Sequence, residues 1–214
     1  MKIISVNIGT PRVVEYKGEP LSTGIFKSPV SGKVAVTALN LAGDAQADLR
    51  VHGGPSKAVY AYPSEHYEFW RAELPETNFE TGIFGENLTT IGLSEDTVCI
   101  GDKLQIGTAE FIVTEPRFPC FKLGIRFGRK DIIRRFQKSG RCGFYLAVDK
   151  TGEVEAQDAI EILSRDSRQF SIAEAFAFSE KKIIDADKLR SALEIEALPK
   201  KWKNNIRRAL NEHL

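Results

Sequence analysis

All 17 glycines of this 214-residue chain lie before Ser164, and none follows it. Glycine supplies the positive-φ turns that join short strands and weakens helix interiors, so this boundary separates a strand-and-turn body from a helical tail. Within the body, β-rich runs at 3–8, 33–41, 58–62, 97–100, 103–106, 110–114, 144–148 and 159–163 alternate with turn signals such as Asp149-Lys150-Thr151-Gly152 and Ile106-Gly107-Thr108. Many short strands with little helix between them predict a β-barrel or sandwich rather than a parallel α/β sheet. Two helices interrupt it. One runs from Ser64 to about Leu74 with Tyr67, Trp70 and Leu74 on one face, and one from Lys130 to Lys138 carries Ile132, Ile133 and Phe136.

From Ser164 on, the spacing predicts three helices. Ser171-Ile172-Ala173-Glu174 is a capping-box pattern, opening a helix that turns Ile172, Ala175, Phe176 and Ser179 inward. A second starts near Asp185 or Ala186 and uses Leu189 and Leu193. The third starts at Pro199, with Trp202, Ile206 and Leu210 at i, i+4, i+8. The division is therefore a β domain over 1–163 and a three-helix domain over 164–214, α+β overall.

Thirty basic against 29 acidic side chains leave a formal net charge of +1, which excludes a globally basic nucleic-acid binder and an acidic solubilising chain. The balance hides segregation. Residues 60–100 hold eight acidic and one basic side chain, whereas 115–145 hold nine basic and two acidic. A solvated helix face accounts for most of the second set, above all Arg134, Arg135 and Lys138; Arg117, Lys122 and Arg141, beside turns and a cysteine, are the better candidates for an anion site. Lys200, Lys201, Lys203, Arg207 and Arg208 give the third tail helix a basic face, but Glu194, Glu196 and Glu212 dilute it, so nucleic acid is a disfavoured partner. The N-terminal apolar run is too short for an export signal or a membrane span, and reduced thiols in the cytoplasm are expected.

Cys99, Cys120 and Cys142 are spaced too widely for zinc pairs and too few for a disulfide framework. Cys99 alternates with apolar neighbours and Cys142 abuts Gly143, so both are read as packing residues. Cys120 is open to two readings. It is a buried inert thiol, or a thiolate favoured by Arg117 and Lys122 in a loop stiffened by Pro116 and Pro119. Two further loops are equally open: His52-Gly53-Gly54-Pro55-Ser56-Lys57 is a simple turn or an anion cradle, and Gly85-Glu86-Asn87 caps a turn or reads a polar heterocycle.

Taken in order, His52-Gly53-Gly54-Pro55-x-Lys57-Ala58-Val59, Phe84-Gly85-Glu86-Asn87-Leu88, Pro116-Arg117-x-Pro119-Cys120-x-Lys122-Leu123 and Gly140-Arg141-x-Gly143-Phe144-Tyr145 resemble the MOSC-domain family, named for the C-terminal domain of molybdenum-cofactor sulfurase. With the helical tail, the resemblance is to its YiiM-like subgroup. It implies a mainly β fold, a MOSC-type β-barrel plus the three-helix module. It also implies a molybdenum cofactor of molybdopterin type held at the barrel rim, with Cys120 as the catalytic metal ligand. Arg117, Lys122, His52, Gly53, Gly54, Lys57, Asn87 and Arg141 become cofactor-binding candidates. The implied activity is reduction of N-hydroxylated base analogues such as 6-hydroxylaminopurine, with electrons from an external flavoprotein reductase, since no G-x-G-x-x-G follows a strand here. A carrier of cofactor or sulfur without turnover is the alternative, and a homodimer is compatible with the appended apolar helices.

Overall fold

The computed structural model describes residues 1–47, 53–182 and 185–212. Its body is an eight-stranded mixed sheet built from β1 (Lys2–Ile8), β4 (Ser28–Val30), β6 (Val59–Pro63), β7 (Leu88–Ile91), β8 (Lys103–Ile106), β9 (Ala109–Pro116), β10 (Phe144–Lys150) and β12 (Ile160–Ser164). The strand order is β12-β8-β9-β10-β6-β7-β1-β4, and only β6 and β7 pair in parallel. The sheet curls back on itself. Ile3 N donates to Asp158 O (2.9 Å), Gln157 N to Ile3 O (2.9 Å) and Ile160 N to Met1 O (3.0 Å), so the start of β1 meets the segment that enters β12. That seam is a bridge of backbone bonds at Lys2 and Ala159 rather than a full ladder.

Two small antiparallel pairs complete the strands: β2 (Arg12–Tyr16) with β3 (Glu19–Thr23), and β5 (Val34–Val36) with β11 (Gly152–Val154). The β2–β3 hairpin has no apolar alternation to reveal it, because most of its side chains are exposed. Two expected strands are corrected. The run at 33–41 reduces to β5, because Thr37 folds onto Asn40 through its hydroxyl and backbone N–H, turning the chain. The run at 97–100 is a turn. Thr97 Oγ1 bonds back to Ser94 O (3.2 Å) and Asp102 accepts from Cys99 N (3.0 Å), an instance of short polar side chains outbidding a ladder.

The expected helices form as α1 (His66–Glu73) and α3 (Ile132–Ser139), joined by an unforeseen α2 (Phe121–Phe127) directly after Cys120. In the tail, α4 (Ile172–Ser179) has its Ser171–Glu174 capping box in both directions, α5 (Ala186–Ala192) starts from an Asp185 cap, and α6 spans Lys200–Glu212. Ser179 is exposed rather than inward. Ile172, Phe176, Leu189, Trp202 and Ile206 join the same hydrophobic core as Ile3, Phe111 and Phe144 of the sheet. Lys200, Lys201, Arg207 and Arg208 of α6 are exposed and Lys203 is partly covered, while Trp202 and Ile206 on its apolar face are buried by this packing. Among the described residues, no helix is long and apolar enough to cross a membrane.

Candidate functional site

Loops at 23–27, 45–47, 53–57, 85–87 and 117–122 converge on one cleft of about 680 Å³, counting the space open to solvent. The sheet explains the convergence. β9 ends at Pro116 and β6 begins at Val59, on either side of β10, and the turn before β6 folds onto the end of β9, where Thr114 Oγ1 donates to Ser56 O (2.6 Å) and Ser56 Oγ to Glu115 Oε1 (3.4 Å). Gly53 and Lys57 precede β6; Arg117, Cys120 and Lys122 follow β9; Asn87 precedes β7. All six line the cleft. His52 lies outside the described residues. Gly54, in the same turn, has φ +86° with open space where a side chain would start, and Gly53 has φ 110°, so both need the freedom of glycine.

Cys120 is half-buried at the first position before α2. Among the described residues four cations share its cleft, and they differ in what neutralises them. Lys27 is buried against Asp44 in a direct ion pair, and its pKa is lowered because burial outweighs that pairing. Lys57 Nζ stands 3.8 Å from Glu115 Oε2. Lys122 and Arg117 are buried, yet neither has a carboxylate at ion-pair distance among the described residues. Arg117 packs on Tyr60 and Phe136 at 5.3 and 5.1 Å and donates one long bond (3.4 Å) to Phe84 O. Its Nη1 is buried with no hydrogen-bond partner. Burial raises the pKa values of Tyr60 and Tyr145, so neither supplies a phenolate near neutral pH.

A buried guanidinium with an orphaned nitrogen is costly unless an acceptor completes it. The cleft therefore suits an anion. Among the described residues there is no group of three or more His, Cys, Asp or Glu that would cage a bare metal ion. Cys120 offers a single thiolate to a metal that brings ligands of its own, and Arg117 and Lys122 suit a phosphate.

Two expectations resolve differently from that cluster. Asn87 lines the cleft, but its amide is a strut: Nδ2 donates to Asp44 Oδ2 (2.9 Å) and Asn7 O (3.3 Å), while Oδ1 accepts from Tyr60 N (3.1 Å). Beside it, Glu86 caps its own loop, accepting from Gly82 N (2.8 Å), Phe84 N (3.0 Å), Thr89 Oγ1 (3.0 Å) and the Tyr67 hydroxyl. Arg141 is not on the cleft. Its guanidinium lies 4.0 Å from the Phe69 ring in a groove shared with Arg134 and Lys138, because Gly140 ends α3 and turns the chain there. Lys27, Asp44, Tyr60 and Tyr145 escaped the sequence reading. Lys27 and Asp44 meet only in the folded chain, and the tyrosines read as ordinary strand residues.

A family model described as the MOSC domain matches residues 48–161. The uncharacterized protein YflK of Bacillus subtilis (strain 168) is 39% identical over 201 residues, covering 94% of this chain and 90% of that protein. A protein of Gibberella moniliformis (strain M3125 / FGSC 7600) named as a reductase is 37% identical over 158 residues, which is 72% of this chain but only 28% of its own length. The crystal structure of YiiM from Geobacillus stearothermophilus superposes with a TM-score of 0.81 at 31% identity, covering 98% of both chains. With the family's motifs converging on one cationic cleft, and with relatives that span nearly its whole length, this chain belongs to the MOSC domain family.

Proposed function

We propose that the cleft binds a molybdopterin-type cofactor with Cys120 as the protein ligand to molybdenum, and that the loaded protein reduces N-hydroxylated base analogues to amines. The observation that carries the reading is the buried Arg117, its Nη1 without a hydrogen-bond partner among the described residues, in the same cleft as Cys120 and Lys122. Arg117 and Lys122 hold the cofactor's phosphate by charge-assisted bonds, and the Gly53 turn lets its backbone approach closely. Asn87 fixes the cleft wall by tying Asp44 to β1 and β6. When bound, the cofactor supplies the two-electron chemistry in which R–NHOH, two electrons and two protons give R–NH₂ and water. The electrons come from a separate flavoprotein reductase. The reductase name of the fungal relative, 28% of whose length the match covers, supports this class of reaction.

Metal analysis of protein expressed in a cofactor-producing host tests the assignment: the wild type should carry molybdenum and Cys120→Ser should lose it. Equal content in both would overturn the ligand role. Steady-state reduction of 6-hydroxylaminopurine with a reconstituted flavoprotein separates a reductase from a carrier of cofactor or sulfur, which would bind without turning over.

A further inference from the structure

The helical tail reaches both walls of the cleft. On one side, Phe118, two residues before Cys120, stacks on Phe176 of α4 at 5.2 Å and 7° and meets Trp202 of α6 at 6.2 Å. On the other, Trp202 Nε1 donates a 3.0 Å hydrogen bond to Glu115 Oε2. That same oxygen is the one 3.8 Å from Lys57 Nζ, at the outer limit of an ion pair and beyond a direct hydrogen bond. Ser56 Oγ, next to Lys57, reaches Glu115 Oε1 at 3.4 Å.

We infer that Trp202 is a positioning residue that holds Glu115 off Lys57 and so leaves the Lys57 charge available to an anion in the cleft. The inference rests on the reading of the cleft as an anion site. An indole N–H only donates, and the Trp202 ring is wedged against Phe118 and Phe178, so it cannot follow the carboxylate elsewhere. Without that donor, Oε2 of this buried carboxylate turns to the cation nearest it, which is Lys57, while Oε1 keeps its long contact with Ser56 Oγ. A Lys57 in full contact with Glu115 would be neutralised and would compete poorly for ligand.

Two substitutions separate this from a packing role. Trp202→Phe keeps the ring and removes the donor; Glu115→Gln keeps an acceptor for the indole and removes the charge. Inorganic phosphate, titrated calorimetrically at fixed ionic strength, is the probe. Trp202→Phe should weaken phosphate binding and Glu115→Gln should strengthen it, each by about two- to five-fold, the range of a partly exposed ion pair. Affinities that both fall, or that do not move, would overturn the inference, because loss of packing shifts both variants the same way. A crystal structure of Trp202→Phe gives a reading that needs no ligand. Glu115 in direct contact with Lys57 supports the inference, and Glu115 unmoved overturns it. Failure of phosphate to bind the wild type would instead overturn the anion site, and the crystal structure would still decide the role of Trp202.

Discussion

Burial sorts three cysteines of identical chemistry into different fates. Cys142 is fully buried and its thiol is pushed far up in pKa by desolvation; Cys99 is nearly as enclosed and shifts the same way. Cys120 is half-buried on a cationic cleft. Because the thiolate is the reactive form, a disulfide reagent such as Ellman's should titrate one thiol promptly in the native protein and all three in denaturant. Prompt native modification that survives Cys120→Ser would refute this sorting. The sequence separates these cysteines through their neighbours: proline and cations around Cys120, alternating apolar residues around Cys99. It is silent on the Lys27–Asp44 pair, because partners 17 positions apart with no shared periodicity meet only through tertiary folding. Arg141 misleads for the complementary reason. Its place in a family motif says that the turn matters, and the turn sends the side chain to Phe69 rather than to the cleft.

At the scale of elements, legibility tracks amphipathic contrast. The tail helices are visible because apolar residues recur at helical spacing and a capping box marks the start of α4. β2, β3 and β4 are obscure because most of their side chains face solvent, and α2 is obscure because Pro119, Gly124 and Gly128 imitate a loop around seven helical residues. α3 carries an electrostatic device at its start. Asp131 accepts from Arg129 Nε (2.6 Å) and Nη2 (2.7 Å) and from Arg135 Nε (2.8 Å), and these hydrogen bonds hold its carboxyl well below the usual carboxylate range. A folded-state pKa below the unfolded value of 3.8 contributes stability above that value and loses it as pH falls toward the folded pKa. Asp131→Asn should therefore melt below the wild type at neutral pH, and the two melting curves should converge as pH drops below about 3.8. A gap that widens in acid would contradict the sign. Its size stays small because the cluster is solvent-screened.

The whole molecule is held by continuity between its two compositional halves. Composition divides the chain sharply at Ser164, yet Phe170, Ile172, Phe176, Trp202 and Ile206 belong to the same hydrophobic cluster as the sheet's Phe111, Leu146 and Ile160. Backbone bonds cross the boundary as well: Ile100 N donates to Phe170 O (2.9 Å), Ile172 N to Val98 O (2.9 Å) and Ala173 N to Glu95 O (2.9 Å). Arg165 bridges back to the buried Asp102 at 2.7 Å. Two halves that share a core and a hydrogen-bonded seam cannot lose one without exposing the other, so unfolding is cooperative. Calorimetry of the intact chain should show a single transition whose calorimetric and van't Hoff enthalpies agree. Trp202→Ala, which opens a cavity in that shared core, should lower stability by about 3–5 kcal/mol while keeping the transition single. A separate low-temperature transition for the tail, left behind by a sheet that melts unchanged, would show that the apolar seam is contact without coupling. In that case the grip of Trp202 and Phe176 on the cleft loops would hold only while the tail stayed docked.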